Sequence, residues 1–129
     1  MPAVSLATTS IAASDISKAL TLTALTTASN NDYITVAKKD INGEIIIQNA
    51  DASHAATVVF SAGDGVLSSK GTVTVTVAAS TTTIVPLERL ETARVLNLTG
   101  TNKGKIIVNT TIASGGAITS VSFGYVEKV

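Results

Sequence analysis

The sequence contains a single histidine, His54, and it is the natural first candidate for catalysis. Asp51, Ser53 and His54 lie close together between two β-branched runs, and they supply the residue types of a nucleophile, a base and an orienting carboxylate. Residues this close in one loop seldom reach the geometry of a catalytic relay, which favours a solvated turn. We therefore predict no catalytic residue in this segment.

A second candidate is a metal site at Gly63-Asp64-Gly65, which resembles part of a calcium-binding loop. An oxygen cage for Ca²⁺ needs several acidic or carbonyl ligands in register, and only Asp64 is acidic here. We expect instead that the two glycines take positive φ and that Asp64 caps the turn. Because the chain contains no cysteine, disulfides and thiolate metal sites are excluded, and we predict no metal ligand.

Paired carboxylates occur at Glu88 and Glu91, on either side of Arg89. Such pairs can act as acid and base in a cleft, but an adjacent cation and a polar connection favour a solvated face. Arg94 is expected to pair with one of the two glutamates across a turn. The sequence has no phosphate-binding loop and no dinucleotide fingerprint. We predict that the protein is not an enzyme and binds no cofactor.

Composition limits the partners. The formal net charge is zero and 14% of the residues are charged, which argues against binding to nucleic acid. No apolar run reaches the roughly 18 residues that a membrane span requires. The amino terminus shows no secretory signal, so synthesis in the cytosol is expected.

The elements that position these residues are predicted from periodicity, which is clearest between residues 72 and 86. Valines at 73, 75 and 77 alternate with threonines, as in a strand with one buried face. A break at Ala79 and Ser80 precedes a second β-branched run that ends at Pro86. We interpret residues 70–87 as a hairpin.

Further short strands follow the same logic, with turns at 30–32 and 40–43. They are expected at 20–25, 33–36, 44–49, 57–60, 94–97, 105–109 and 117–126. The strand at 44–49 is apolar on both faces and should be central, whereas Val121, Phe123 and Tyr125 should share one face. A helix-like insert is expected only at 86–91. The pattern predicts an all-β fold, an antiparallel β-sandwich or jelly roll with an extended N-terminal arm.

Residues 1–19 mix Ala, Ser and Thr with isolated apolar residues and show no clean period. We predict an extended arm at 1–19 and a sandwich domain at 20–129, with one helical turn capped by Ser14 as the alternative for the arm. The apolar arm residues expected to contact a capsid or a neighbouring subunit are Val4, Leu6, Ile11 and Ile16. Deletion of residues 2–17 is then expected to leave the sandwich folded and to weaken attachment.

The order of these features resembles a known family. The apolar strand Gly43–Asn49, an Ala/Ser/Asp linker, the strand and turn at 56–65, the Thr/Val hairpin ending at Pro86-Leu87, the block 91–95 and the strand 104–108 occur in sequence. This order resembles the small jelly-roll head-decoration (cement) proteins of tailed bacteriophages over residues 20–126. The resemblance implies a non-catalytic homotrimer that binds the major capsid protein. It also implies a location on the outer capsid surface of the virion.

Two alternatives remain at this point. One is an adhesion or carbohydrate-binding module, although the chain has no Trp and only Tyr33 and Tyr125 as tyrosines. The other is a tail, baseplate or fibre component of the virion with a similar sandwich fold. The residues themselves do not separate these alternatives.

Overall fold

The computed structural model describes residues 3–37, 43–90 and 92–128. These residues form strands in two sheets and two short helices. The strands are β1 (Ala7–Ile11), β2 (Thr23–Ala24), β3 (Asp32–Thr35), β4 (Gly43–Asn49), β5 (Ala56–Phe60), β6 (Val73–Val77), β7 (Thr81–Pro86), β8 (Lys105–Ile112) and β9 (Val121–Lys128). The helices α1 (Leu87–Leu90) and α2 (Thr92–Val95) follow β7, where the helix-like insert was predicted.

The strands pair in a nested order. β5 pairs with β6, β4 with β7, β3 with β8 and β2 with β9, all antiparallel. This is the pattern of one long hairpin, and it is rolled up because β9 also pairs with β4 and β8 also pairs with β5. The result is one sheet containing β9, β4 and β7 and a second sheet in the order β3-β8-β5-β6. The predicted all-β sandwich of the jelly-roll type is confirmed.

The core lies between the two sheets and is built mainly from aliphatic side chains. Strand alternation directs one face of each strand inward, because successive side chains point to opposite faces. Val121, Phe123 and Tyr125 are fully buried on one face of β9, as predicted. Phe60 is the other large ring in the core, so three aromatic residues fill the space between aliphatic neighbours.

The two strands predicted within 70–87 are present, but their pairing as a hairpin is wrong. β6 pairs with β5 in one sheet, and β7 pairs with β4 in the other. The connection therefore crosses the sandwich, turning at Ser80 with a positive φ of 54°. The side-chain amide of Asn49 donates hydrogen bonds to the carbonyls of Val77 and Ala78, which holds the crossing in place. The alternation of apolar and polar residues indicates which face of a strand is buried. It does not indicate which other strand it pairs with.

The amino-terminal segment is extended, and it is incorporated into the sandwich. β1 runs parallel to β9 from Ala7 beside Gly124 to Ile11 beside Lys128, on the same side of β9 as β2. Leu6 is 2% exposed and belongs to the core. Deletion of residues 2–17 would remove both Leu6 and β1, so the expectation that the sandwich folds without them stays a prediction for a truncated chain to test. Packing of Leu6 and pairing of β1 make this segment part of the domain.

Other predicted boundaries also change. The strand expected at 94–97 is wrong, because residues 92–95 form α2 and only Leu96 makes an isolated bridge, to Ile106. The strand expected at 20–25 is reduced to β2. The segment around Ser14 contains no helix in the described structure. The turn predicted at 40–43 lies outside the described residues except for Gly43, which begins β4.

Candidate functional site

Asp51 and His54 do meet in the structure. His54 Nδ1 lies 2.8 Å from Asp51 Oδ1. The same oxygen accepts hydrogen bonds from the backbone N–H groups of Ser53 and His54, both at 2.9 Å. These bonds, the backbone N–H of Ser53 first and the His54 ring next, lower the pKa of Asp51 to about 2. Among the described residues, no hydrogen bond joins the Ser53 hydroxyl to His54, and the bonds to Asp51 Oδ1 cap a turn.

Asp64 also has a structural role, but a different one from that predicted. Its carboxylate accepts hydrogen bonds from the backbone N–H groups of Leu98 at 2.6 Å and of Thr99 at 3.2 Å, and from the Thr99 hydroxyl. The hydroxyl of Thr99 and the N–H of Leu98 lower the pKa of Asp64. Asp64 therefore caps a loop that is distant in sequence. Within the described residues, no group of three or more His, Cys, Asp or Glu side chains could hold a metal ion.

The prediction of positive φ at Gly63 and Gly65 is wrong, since neither is among the residues with positive φ. Both are needed because another backbone segment approaches closely. A Cβ on Gly63 would lie 2.3 Å from the carbonyl oxygen of Leu96, and one on Gly65 would lie 2.7 Å from that of Ala93. The glycines thus allow the 63–65 loop to pack against the end of α2.

Arg94 does not form the predicted ion pair in the described structure. Its guanidinium donates to the backbone carbonyls of Gly71 at 2.9 Å, Thr72 at 2.7 Å and Lys70 at 3.2 Å. Glu88 is exposed, and Glu91 lies outside the described residues. Arg94 therefore anchors the loop before β6.

In the described structure, neither α1 nor α2 has the length or apolar character to cross a membrane.

The outer face of the β9-β4-β7 sheet carries a continuous row of apolar side chains. Gly124 pairs with Ile46, and Ile46 pairs with Ile84 on the edge strand. The loop before β2 lies over Gly124, where a Cβ would be 2.7 Å from Leu22 Cδ2 and 3.4 Å from Leu20 Cδ1. We call Leu20, Leu22, Ile46 and Ile84 the apolar stripe.

The apolar stripe is accessible at both ends, because Ile84 is 56% exposed and Leu20 is 45% exposed. The neighbouring outward positions on β4 are polar, with Glu44 on one side and Gln48 on the other, and both are exposed. An outer sheet face normally presents polar residues to water. An apolar row with a polar rim has the composition of a protein-binding surface.

The four arm residues predicted to contact a partner are not grouped in one place. Leu6 is buried in the core, so its side chain is unavailable at the surface. Val4 and Ile11 are half-buried, and the backbone of Val4 is held by Asp32 and Tyr33. Ile16 is fully exposed in the loop between β1 and β2. Of the four, Ile16 offers the most side-chain surface to a partner.

A cavity of about 530 Å³ opens on the outer face of the β3-β8-β5-β6 sheet, and sequence reasoning missed it. We call it the outer-face cavity. Tyr33 and Ile107 lie side by side in its floor, as paired residues of β3 and β8. Lys105 Nζ stands 4.1 Å from the centre of the Tyr33 ring. The remaining lining residues are Ala3, Asn31, Ser61, Ala62, Asn97 and Asn102. No sequence motif marks the cavity, because its residues come from four separate parts of the chain, at 3, 31–33, 61–62 and 97–107.

Fold and site together define this chain as an all-β jelly-roll protein with an apolar stripe on one sheet and a polar cavity on the other. Comparison with protein-family models, with curated proteins and with solved structures finds no match for the chain. The resemblance to phage decoration proteins therefore rests on the order of the sequence motifs alone.

Proposed function

We propose that this protein is a structural virion component, a decoration (cement) protein that binds the major capsid protein on the outer surface of a phage head. The apolar stripe is the observation that carries the proposal. Ile46 and Ile84 of the outer sheet face join Leu20 and Leu22 of the loop before β2 in this stripe. Ile84 and Leu20 are exposed at its two ends, and docking on a protein surface would remove them from water.

The fold is compatible with this role, since jelly rolls are common in viral capsid proteins. The loop between β1 and β2 extends the contact surface, because Ile16 and most of its neighbours are exposed. Such a surface suits a homotrimer that clamps neighbouring coat subunits, where several weak contacts act together. A tail or fibre location would use the same stripe on a different virion protein.

Binding to heads tests the proposal directly. Light scattering measures the mass of the protein alone, and co-sedimentation with expanded, undecorated phage heads measures attachment. We expect a trimer and saturable co-sedimentation. A monomer that stays in the supernatant would contradict the proposal.

A matched pair of variants tests the apolar stripe itself. Ile84→Lys places a charge in the stripe on the edge strand β7, and Thr76→Lys places the same charge on the edge strand β6 of the other sheet. Both positions are exposed, so both variants are expected to fold. Head binding should fall about tenfold or more for Ile84→Lys, because burying an unpaired charge is costly, and should be unchanged for Thr76→Lys. Equal binding by the two variants would exclude the stripe as the docking surface.

A further inference from the structure

The outer-face cavity has one charged side chain among its described lining residues, Lys105. The ion pairs of the described structure join Lys18 to Asp15 and His54 to Asp51, so no carboxylate there neutralises Lys105. Lys105 as a whole is half-buried, and its ammonium lies over the Tyr33 ring at 4.1 Å, a cation–π distance. The cavity therefore presents a positioned positive charge without an internal counter-ion.

Neutral hydrogen-bonding groups surround this charge. Asn31 is fixed by a reciprocal pair of hydrogen bonds, in which its N–H donates to Asn109 Oδ1 at 2.8 Å and its Oδ1 accepts from Asn109 Nδ2 at 2.9 Å. This leaves the Asn31 side-chain nitrogen as a donor. The amide of Asn102 and the hydroxyl of Ser61 also line the cavity. Asn97 is held by its Nδ2, which donates to the Lys105 carbonyl at 3.1 Å.

Ile107, Ala62 and Ala3 contribute apolar surface to the lining. One face of Tyr33 is occupied by the Lys105 ammonium, so stacking of a neutral sugar ring on that face is blocked. A ligand that suits the cavity has a carboxylate for Lys105, hydroxyl groups for the amides and ring carbons for the apolar surface. The volume of about 530 Å³ lies in the range of small-molecule sites.

We propose that the outer-face cavity binds a carboxylate-bearing, polyhydroxylated ring, the chemistry of an acidic sugar. The cavity lies on the sheet opposite the apolar stripe, so this site does not depend on the virion role proposed above. The ligand is either a free sugar acid or the acidic residue of a glycan chain, and both present the same group to Lys105.

Titration of the full-length protein with glucuronate, glucose and acetate, followed by NMR, tests the proposal. Glucuronate should shift the amide signals of Asn97, Asn102 and Gly104 in a saturable way. Glucose and acetate should bind about tenfold more weakly, because glucose lacks the carboxylate and acetate lacks the hydroxylated ring. A glucuronate-containing tetrasaccharide compared with free glucuronate distinguishes a glycan source from a free acid. Equal response to glucuronate and glucose would overturn the proposal.

Charge-matched variants complete the test. Lys105→Gln removes the ammonium of the cavity, and Lys103→Gln removes an exposed charge from the loop just before β8, outside the cavity. Glucuronate affinity should fall about tenfold in Lys105→Gln and remain unchanged in Lys103→Gln. The NMR spectrum of each variant shows whether it is folded. If Lys105→Gln has a changed fold, Lys105→Arg is used in its place, and this variant should retain glucuronate binding because it keeps the positive charge. Equal affinity in the two Gln variants would refute the role of Lys105.

Discussion

Asn49 ties the two sheets together at the end of β4, and its replacement gives the sharpest test of the fold. The residue is 1% exposed. Its side-chain nitrogen donates to the carbonyls of His54 at 2.8 Å and of Val77 and Ala78 at 3.3 Å, and its oxygen accepts from the N–H of Asp51 at 3.1 Å. One side chain thus holds the crossing from β4 to β5 and the crossing from β6 to β7.

The cost of Asn49→Ala follows from these contacts. An amide has two hydrogens, so the three donor contacts count as two hydrogen bonds, and the oxygen adds a third. At about 1 kcal/mol for each net hydrogen bond, the loss is about 3 kcal/mol, before any penalty for the buried carbonyl of Val77. For a domain of this size that corresponds to a decrease of about 10 °C in Tm.

Urea denaturation measured by circular dichroism, at one protein concentration, determines the free energy of unfolding. Gln48→Ala serves as the control, because Gln48 is the exposed neighbour in the same strand and should change stability by less than about 0.5 kcal/mol. A loss below about 1 kcal/mol for Asn49→Ala would refute the reasoning, since the connections would then be held by other contacts.

Two further predictions concern the amino-terminal segment and the acid stability. Leu6→Ala should destabilise the protein by about 2–5 kcal/mol in urea denaturation, because it leaves a cavity in the core, whereas Ile16→Ala at a fully exposed position should be neutral. Equal stability of these two variants would show that Leu6, just before β1, is not packed in the core. The pKa of Asp51 is lowered to about 2, so its carboxylate stabilises the folded state above the unfolded pKa and loses that effect as the pH falls from about 4 to 2. Asp51→Asn, which still faces His54, should therefore show a shallower loss of Tm between pH 4 and pH 2 than the wild type, and identical slopes would contradict the assignment.

Most of the local structure could be predicted from the two-residue periodicity of apolar side chains. The alternation at Val73, Val75 and Val77 and the shared face of Val121, Phe123 and Tyr125 were predictable because a half-buried strand repeats every two residues. Residues 94–97 were mistaken for a strand because β-branched and apolar residues there fit either structure. Burial of Leu87, Leu90 and Val95 at the end of the sandwich decided the helical outcome.

The candidate sites were much less predictable. The apolar stripe combines residues of β4, β7 and the loop before β2, and the outer-face cavity combines four separate parts of the chain. Neither has a signature in the sequence, since residue types such as Ile, Leu and Asn are common outside sites. The Asp51 and His54 pair was visible in the sequence because the two residues are close along the chain.

The sequence by itself determined the class of the fold, because strand periodicity, turn residues and the absence of helical periods are local properties. It also excluded disulfides, through the lack of cysteine. Only the tertiary structure decided the partners of the strands: β6 and β7 separate into different sheets, and β1 joins β9. The physical reason is that pairing is settled by burial across the whole chain, where Leu6 and the Asn49 amide gain partners far away in sequence.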